Sequence, residues 1–405
     1  MSRLQQHSEP AKNPRHGSHI AQSGAADVTR HISPSVACEL WARAAGRCEF
    51  GDCNRLLYKS PVTEERVNIS EKAHIYSFSP HGPRGRGPYS KNTAGLNDVH
   101  NLLLVCHDCH KTIDQDKTGL QYSADLLKKW KTAHEARIAL VTRILPKRKS
   151  HVTLFGANIG SERSPLQFDE CAEAMFPSRF PAHERPVVLS MVCEHDDSSK
   201  EYWKTEAENL RAAFERYITP LINEASPCHF PLFGLAPQPL LILLGSLFTD
   251  KIPVDVYQLH REPRTWSWQS YPNGFEFRVT APQNLSGEPA LIIAVSAKIN
   301  HDRASKITGP NVSIWELTTD TPHNDILKSE GQLAMFRQAA RNVMLEIASA
   351  HGQNTPLKIF PAMPMACAIE LGRIRMPKAE MPWLIFDQNA TMGKFIEALS
   401  IGATT

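Results

Sequence analysis

Two pairs of cysteines constrain this chain more than any other feature. Cys48 and Cys53 have four residues between them in RCEFGDC, Cys106 and Cys109 two in VCHDCH, and 52 residues separate the pairs. Together they offer four thiolates in the arrangement of a closed tetrahedral zinc site. A metal is therefore expected to staple two distant parts of one small domain. The other five cysteines (Cys38, Cys171, Cys193, Cys228 and Cys367) are isolated and read as apolar packing, not as a disulfide framework.

The stretch between the pairs carries chemistry of its own. EKAHIYSFSP places His74 in an extended segment rich in β-branched and aromatic residues. A Gly/Pro/Arg loop follows, then NLLLV as a second strand, and CHDCHKTID as the start of a helix. His110 and Asp114, four apart, project from one helix face and can grip one cation. A cation held by few protein ligands keeps positions open for water and phosphate. His74 is placed to take a proton from the attacking water, and Asn101, opening the second strand, to pin the loop beside it. Arg84 and Arg86 in the loop read equally as forks for phosphate oxygens or as a solvated loop. His107 reads as a solvent-facing spacer, and His100 takes no role.

These residues resemble the HNH (ββα-metal) endonuclease family in its zinc-staple form, over about residues 33–145. The resemblance implies a structural Zn²⁺ on Cys48, Cys53, Cys106 and Cys109, with His74 as general base and Asn101 ordering the loop. It makes His110 a ligand of a catalytic Mg²⁺ or similar divalent cation, with Asp114 as a further ligand. Ala73 stands where many members carry an acidic residue or histidine, so phosphate, water or Asp114 must fill that position. The competing reading is a zinc finger that only binds DNA, which has no use for His74 or the His110/Asp114 pair.

At 405 residues the chain is long for one domain, and 41% apolar with 21% charged content suits a soluble globular protein. No run approaches the roughly 20 apolar residues of a membrane span. The polar amino terminus lacks a secretory apolar segment, so residues 1–32 read as a disordered tail and the cytoplasm as the location. Residues 1–150 hold 23 Lys and Arg against 14 Asp and Glu, leaving 22 against 28 behind them. A basic front and an acidic back point to a polyanion such as DNA at the front, with ordinary surface variation as the other reading of the charge. Residues 146–164 read as a linker.

Beyond the linker, strand-like and helix-like segments alternate: PVVLSMV, a long helix from Lys200, HFPLFGLA, PLLILLGSLF and VDVYQL, then ALIIAVSA, a second long helix, PLKIFPAM, MACAIELGRI and WLIFDQ. This order predicts two α/β units with largely parallel sheets, about residues 165–285 and 286–405. FGLAPQPLLILLG from Phe233 and FPAMPMACAIELG from Phe360 share F-x3-P-x7-G at an offset of 127 residues, as a duplication would leave. Pro237 and Pro364 are expected to open helices at the carboxyl ends of strands, where α/β sheets bind ligands. One composite pocket follows, with Pro237, Gln238, Arg261, Trp266, Trp268, Lys298 and Pro364 as its candidate contacts. One of the two tryptophans is expected to be core.

This half resembles the SAVED domain, two fused CARF-like (Rossmann-like) halves, over about residues 165–405. The expected fold is thus an α+β ββα-metal front domain with a zinc staple joined to an α/β SAVED domain. An HNH nuclease fused to SAVED is the architecture of an effector of bacterial CBASS anti-phage defence. That resemblance implies activation by a cyclic dinucleotide such as cyclic GMP-AMP, homo-oligomerisation, and cleavage of double-stranded DNA, with no membrane partner. A restriction-type HNH nuclease that reads modified DNA is the alternative within the same chemistry. A non-catalytic zinc-finger sensor is the alternative outside it.

Overall fold

The computed structural model describes residues 29–159, 166–190, 197, 199–224, 228–271, 274–376, 381–389 and 393–402. Most of the expected tail (residues 1–28), Cys193 and the end of PVVLSMV lie outside them. The chain divides into two compact units at Ala139/Leu140. No helix among the described residues is long and apolar enough to cross a membrane.

The front unit begins with α1 (Pro34–Arg43), whose N-cap Ser33 accepts a hydrogen bond from Val36 N–H. Strand β1 (Ser70–His74) pairs antiparallel with β2 (Leu102–Cys106), setting His74 opposite Leu102. Every residue of β2 is buried, which explains its continuous apolar run. Helix α2 (His107–Gln115) starts directly after it, with Cys106 as N-cap. Helix α3 (Ala124–Thr142) buries Leu127, Lys131 and His134 and rests Trp130 against Phe50 of the first cysteine loop, ring centroids 4.6 Å apart. The buried residues of α3 lie in its first half and middle, and Val141 near its end is exposed.

In the rear unit come β3 (Lys149–Ser150), β4 (Thr153–Gly156), α4 (Phe168–Ala174), β5 (Phe180–Pro181), β6 (Val187–Val188), α5 (Lys200–Tyr217) and α6 (Thr219–Asn223). They lead into β7 (Phe230–Leu235), α7 (Gln238–Phe248) and β8 (Val254–Tyr257). The second half holds β9 (Arg278–Thr280), β10 (Glu288–Ala294), α8 (His301–Thr308), β11 (Val312–Thr318) and α9 (Glu330–His351). It closes with β12 (Leu357–Ala362), α10 (Met365–Arg373), β13 (Trp383–Asn389) and β14 (Lys394–Ile401). One sheet, in the order β6-β4-β7-β8, is parallel throughout. The other, β14-β13-β12-β10-β11-β9, is parallel inside with an antiparallel strand at each edge.

Two expected boundaries need correction. Residues 146–164, read as a linker, contain β4, an inner strand between β6 and β7. Its four residues are too few to show a period, and the last of them is Gly156. Strand β9, assigned to the first half by its position before residue 285, pairs with β11 of the second.

The glycines that end the repeated motif have a specific job. α7 and α10 cross at Gly245 and Gly372. A Cβ on Gly245 would lie 1.9 Å from the Ile369 carbonyl oxygen, and one on Gly372 1.9 Å from that of Ile242. Ile242 and Ile369 are themselves 127 residues apart, so the contact is two-fold symmetric. Because the clash is with main chain, neither Gly245→Ala nor Gly372→Ala can be absorbed by a rotamer change. Each is expected to cost about 1–3 kcal/mol and lower the melting temperature by roughly 4–10 °C. Unchanged thermal unfolding in both variants would show that the helices do not cross here.

Candidate functional sites

The four expected cysteines converge: the sulfurs of Cys48, Cys53, Cys106 and Cys109 all lie within 4.8 Å of one another. None is in a disulfide, and Cys106 N–H donates to Cys48 Sγ at 3.3 Å. Burial pushes the Cys48 thiol up to about 12 and the Cys109 thiol higher, so both need a cation beside them to ionise. Four thiols in this grouping fit a tetrahedral metal ion. The knuckle is tied down from outside by the fully buried Glu49, whose Oε2 accepts Leu104 N–H at 2.6 Å.

A cleft of about 480 Å³ opens beside β1 and α2, and His74, Arg84, His110 and Asp114 all line it, with Ala73, Arg30 and Glu71. His110 Nδ1 and Asp114 Oδ2 are 3.6 Å apart on one face of α2. Two donors alone suit a divalent cation that keeps most of its positions for water and phosphate; when bound, it would polarise the phosphate. His74 is half-buried, and desolvation lowers its pKa, outweighing the hydrogen bond to Asn97, with Arg30, His110 and Arg84 adding in the same direction as burial. The ring is therefore neutral at pH 7 and able to accept a proton.

Asn101 is buried at the end of the short 3₁₀ turn Val99–Asn101. Its Oδ1 accepts Tyr76 N–H at 2.8 Å, and its Nδ2 donates to the Tyr76 and Leu96 carbonyls at 3.2 and 2.9 Å. It thus ties Tyr76, two residues past His74, to the turn at Leu96. Arg84 donates to the carbonyls of Ile75 at 2.7 Å and His74 at 3.2 Å. Arg86 donates to Phe78 O at 3.0 Å. Both arginines brace their own loop, a use distinct from the two expected of them, and of the pair only Arg84 lines the cleft.

In the rear unit a cleft of about 520 Å³ lies at the carboxyl ends of both sheets, lined by Pro237, Gln238, Arg261 and Pro364 among others. Pro237 and Pro364 are the N-caps of α7 and α10, so the two motif copies meet there. Trp266 does not reach it: the side chain is 2% exposed and packs edge-on against Phe233. Trp268 packs against His260 and lines a separate cavity, while Lys298 is exposed outside the cleft. A tryptophan near a strand end has no sequence mark that separates core from cleft.

Two glutamines make the cleft less symmetric than the motif suggests. Gln238 Oε1 accepts Met363 N–H and Gln258 Oε1 accepts Ala366 N–H, both at 3.1 Å. The start of α10 is thus partly capped by the other half. Asp387, its pKa raised by burial and by nearby Asp197 to about 6, lines the same cleft.

Residues 48–121 match the family model of the HNH endonuclease, and residues 210–401 that of SAVED, the SMODS-associated and fused to various effectors sensor domain. Among solved structures the chain is similar to a Cap4 SAVED/CARF-domain containing receptor of Acinetobacter baumannii with the cyclic trinucleotide 2'3'3'-cAAA. The identity is 13% and the TM-score 0.38, over 72% of this chain and 61% of that one. A Moraxella osloensis Cap4 receptor follows at 11% identity and a TM-score of 0.36, over 72% and 63%. The chain spans 61% of the length of the first of these receptors. A search of curated proteins returned no match. By its two family models the chain joins an HNH endonuclease domain to a SAVED sensor domain.

Proposed function

We propose that this protein is a cyclic-oligonucleotide-gated, metal-dependent endonuclease that degrades double-stranded DNA as an effector of CBASS anti-phage defence. The observation that carries the reading is the front cleft. His74, its pKa lowered by burial, shares that cleft with the His110/Asp114 pair, in a domain of endonuclease type covalently joined to a sensor domain. His74 takes the proton of the attacking water, and His110 with Asp114 holds a Mg²⁺-like cation. Asn101 fixes the loop, and Zn²⁺ on the four cysteines ties the domain together.

In the rear cleft the ligand is a cyclic dinucleotide such as cyclic GMP-AMP. Arg261 meets a phosphate there, beside the α7 and α10 N-termini. Binding promotes assembly into oligomers that bring nuclease domains together, because one HNH site cuts one strand. A shift from 1% to 99% active needs about 5.5 kcal/mol of preference for the active state, within reach of contacts to two phosphates and two bases. The excess of acidic residues behind residue 150 weighs against a second DNA-reading surface there.

Calorimetric titration with a panel of cyclic di- and trinucleotides tests the sensor half. At least one cyclic dinucleotide should bind, and Arg261→Glu should weaken it at least 10-fold, through loss of one phosphate contact and gain of a repulsive charge. Unaltered affinity in Arg261→Glu would move the ligand out of this cleft.

A further inference from the structure

The group that holds His74 lies outside every motif described above. His74 Nε2 is 2.9 Å from Asn97 Oδ1. Asn97 Nδ2 donates to two main-chain carbonyls, Thr29 O at 2.8 Å and His31 O at 3.2 Å. Carbonyl oxygens only accept, so the amide nitrogen must face them and the amide oxygen must face the imidazole. An oxygen opposite Nε2 selects the tautomer with its hydrogen on Nε2 and leaves the Nδ1 lone pair as the basic site of the neutral ring.

The same amide organises a second part of the cleft. Thr29 and His31 flank Arg30, so the two hydrogen bonds from Asn97 dock the segment that carries this cation. Arg30 lies over the Phe78 ring, 5.5 Å from its centroid, and the Phe78 and His74 ring centroids are 5.7 Å apart. The main chain next to Asn97 is itself held, because Asn101 Nδ2 donates to Leu96 O.

We infer that Asn97 is the positioning residue of the nuclease site: it sets His74 as the Nε2–H tautomer with Nδ1 as proton acceptor, and docks the Arg30 segment beside it. The catalytic consequence rests on the reading of His74 as general base; the tautomer does not. A water proton arriving at Nδ1 gives an imidazolium whose Nε2–H still donates to Asn97. The hydroxide oxygen bonds to phosphorus as the P–O bond to the leaving sugar oxygen breaks, and that oxygen takes a proton from solvent. No hydrogen-bond partner has to move during the transfer.

The charged and titratable groups around the ring are Arg30, Arg84, His110, Asp114, Glu71 and Lys72, all lining the same cleft. Substitutions at Asn97 leave Arg84, His110, Asp114, Glu71 and Lys72 in place. They change the acceptor at Nε2, whose influence on His74 exceeds that of Arg30, and release the Arg30 segment from its two hydrogen bonds. The test is ring ¹⁵N–¹H spectroscopy of the full chain labelled with ¹⁵N-histidine, without Mg²⁺, through a pH titration, set beside plasmid cleavage with Mg²⁺.

Wild type should show His74 as Nε2–H when neutral. Asn97→Asp, which puts an anion at the acceptor position, should raise the His74 titration by about one pH unit or more, and Asn97→Ala should lower it. Cleavage by Asn97→Ala should fall about 10- to 100-fold, the usual loss when a group orienting a site residue is removed. Shifts of opposite sign in Ala and Asp are not produced by a merely structural role. An Nδ1–H tautomer in wild type, or an unmoved titration in both variants, would overturn the inference. If the titrations move as expected but His74→Ala still cleaves, Asn97 keeps its place and the base assignment is what fails.

Discussion

His74→Ala is expected to lose at least about 10²- to 10⁴-fold in DNA cleavage, the range for a general base, while retaining its metal content and thermal unfolding. The imidazole stands at the end of β1, half-buried, and its hydrogen bond is to Asn97 on a loop. Its removal leaves the β1–β2 pairing and the cysteine cluster untouched, so any loss of activity reports proton transfer and not collapse. The direction of its pKa adds a second expectation. Desolvation, with Arg30, His110 and Arg84, lowers it below the ordinary histidine value, so protonation of the base is displaced to lower pH than for an exposed histidine. The acid limb of kcat/KM should accordingly lie below that of an exposed histidine. Near wild-type cutting by folded His74→Ala protein would take this residue out of the chemistry.

An effect of similar size is expected from the staple. Cys48→Ser and Cys106→Ser should each lose bound zinc and unfold the front unit. Metal binding of this type is coupled to folding, with an apparent free energy of about 10–16 kcal/mol in zinc-finger peptides. The cluster joins the loop after α1 to the β2–α2 junction. That junction is otherwise held by hydrogen bonds between Glu49 and Leu104, from Arg55 to Asp108 and from Cys106 N–H to Cys48 Sγ itself, and these amount to less than the metal supplies. Elemental analysis and a melting curve of each purified variant decide the matter. Full zinc occupancy with unchanged melting in either one would exclude the four-cysteine site.

How much of this was legible in the sequence differs from element to element. The strand–loop–strand–helix order could be read because β2 is buried on both faces and spells an unbroken apolar run, and because α2 follows it without a loop. The repeat at 127 residues pointed to the carboxyl ends of β7 and β12, since a proline fixes where a helix can begin. Its terminal glycines were visible too, but not why they are there: the clash that excludes a side chain comes from the other copy's main chain. Strand β4 was hidden by its length.

Side-chain networks left the least trace. Asn97 reaches back 66 and 68 residues to the carbonyls it serves, and Gln258 caps a helix 108 residues away, separations with no periodic signature. Arg84 and Arg86 read equally as phosphate forks or as part of a solvated loop, because guanidinium groups in a glycine-rich loop suit either use. The backbone oxygens of that same loop are equally good acceptors, and nearer.

The central claim, that a ligand in the rear unit switches on a nuclease in the front one, is tested most directly on one plasmid. Supercoiled DNA is incubated with the protein and Mg²⁺ while a panel of cyclic di- and trinucleotides is titrated in, with light scattering of the same mixtures. Without ligand the plasmid should remain intact. With one cyclic dinucleotide, linear and shorter products should appear over the same concentration range in which the mass of the protein rises. Equal cleavage with and without every ligand in the panel would contradict gating, and activation at constant mass would contradict control by assembly.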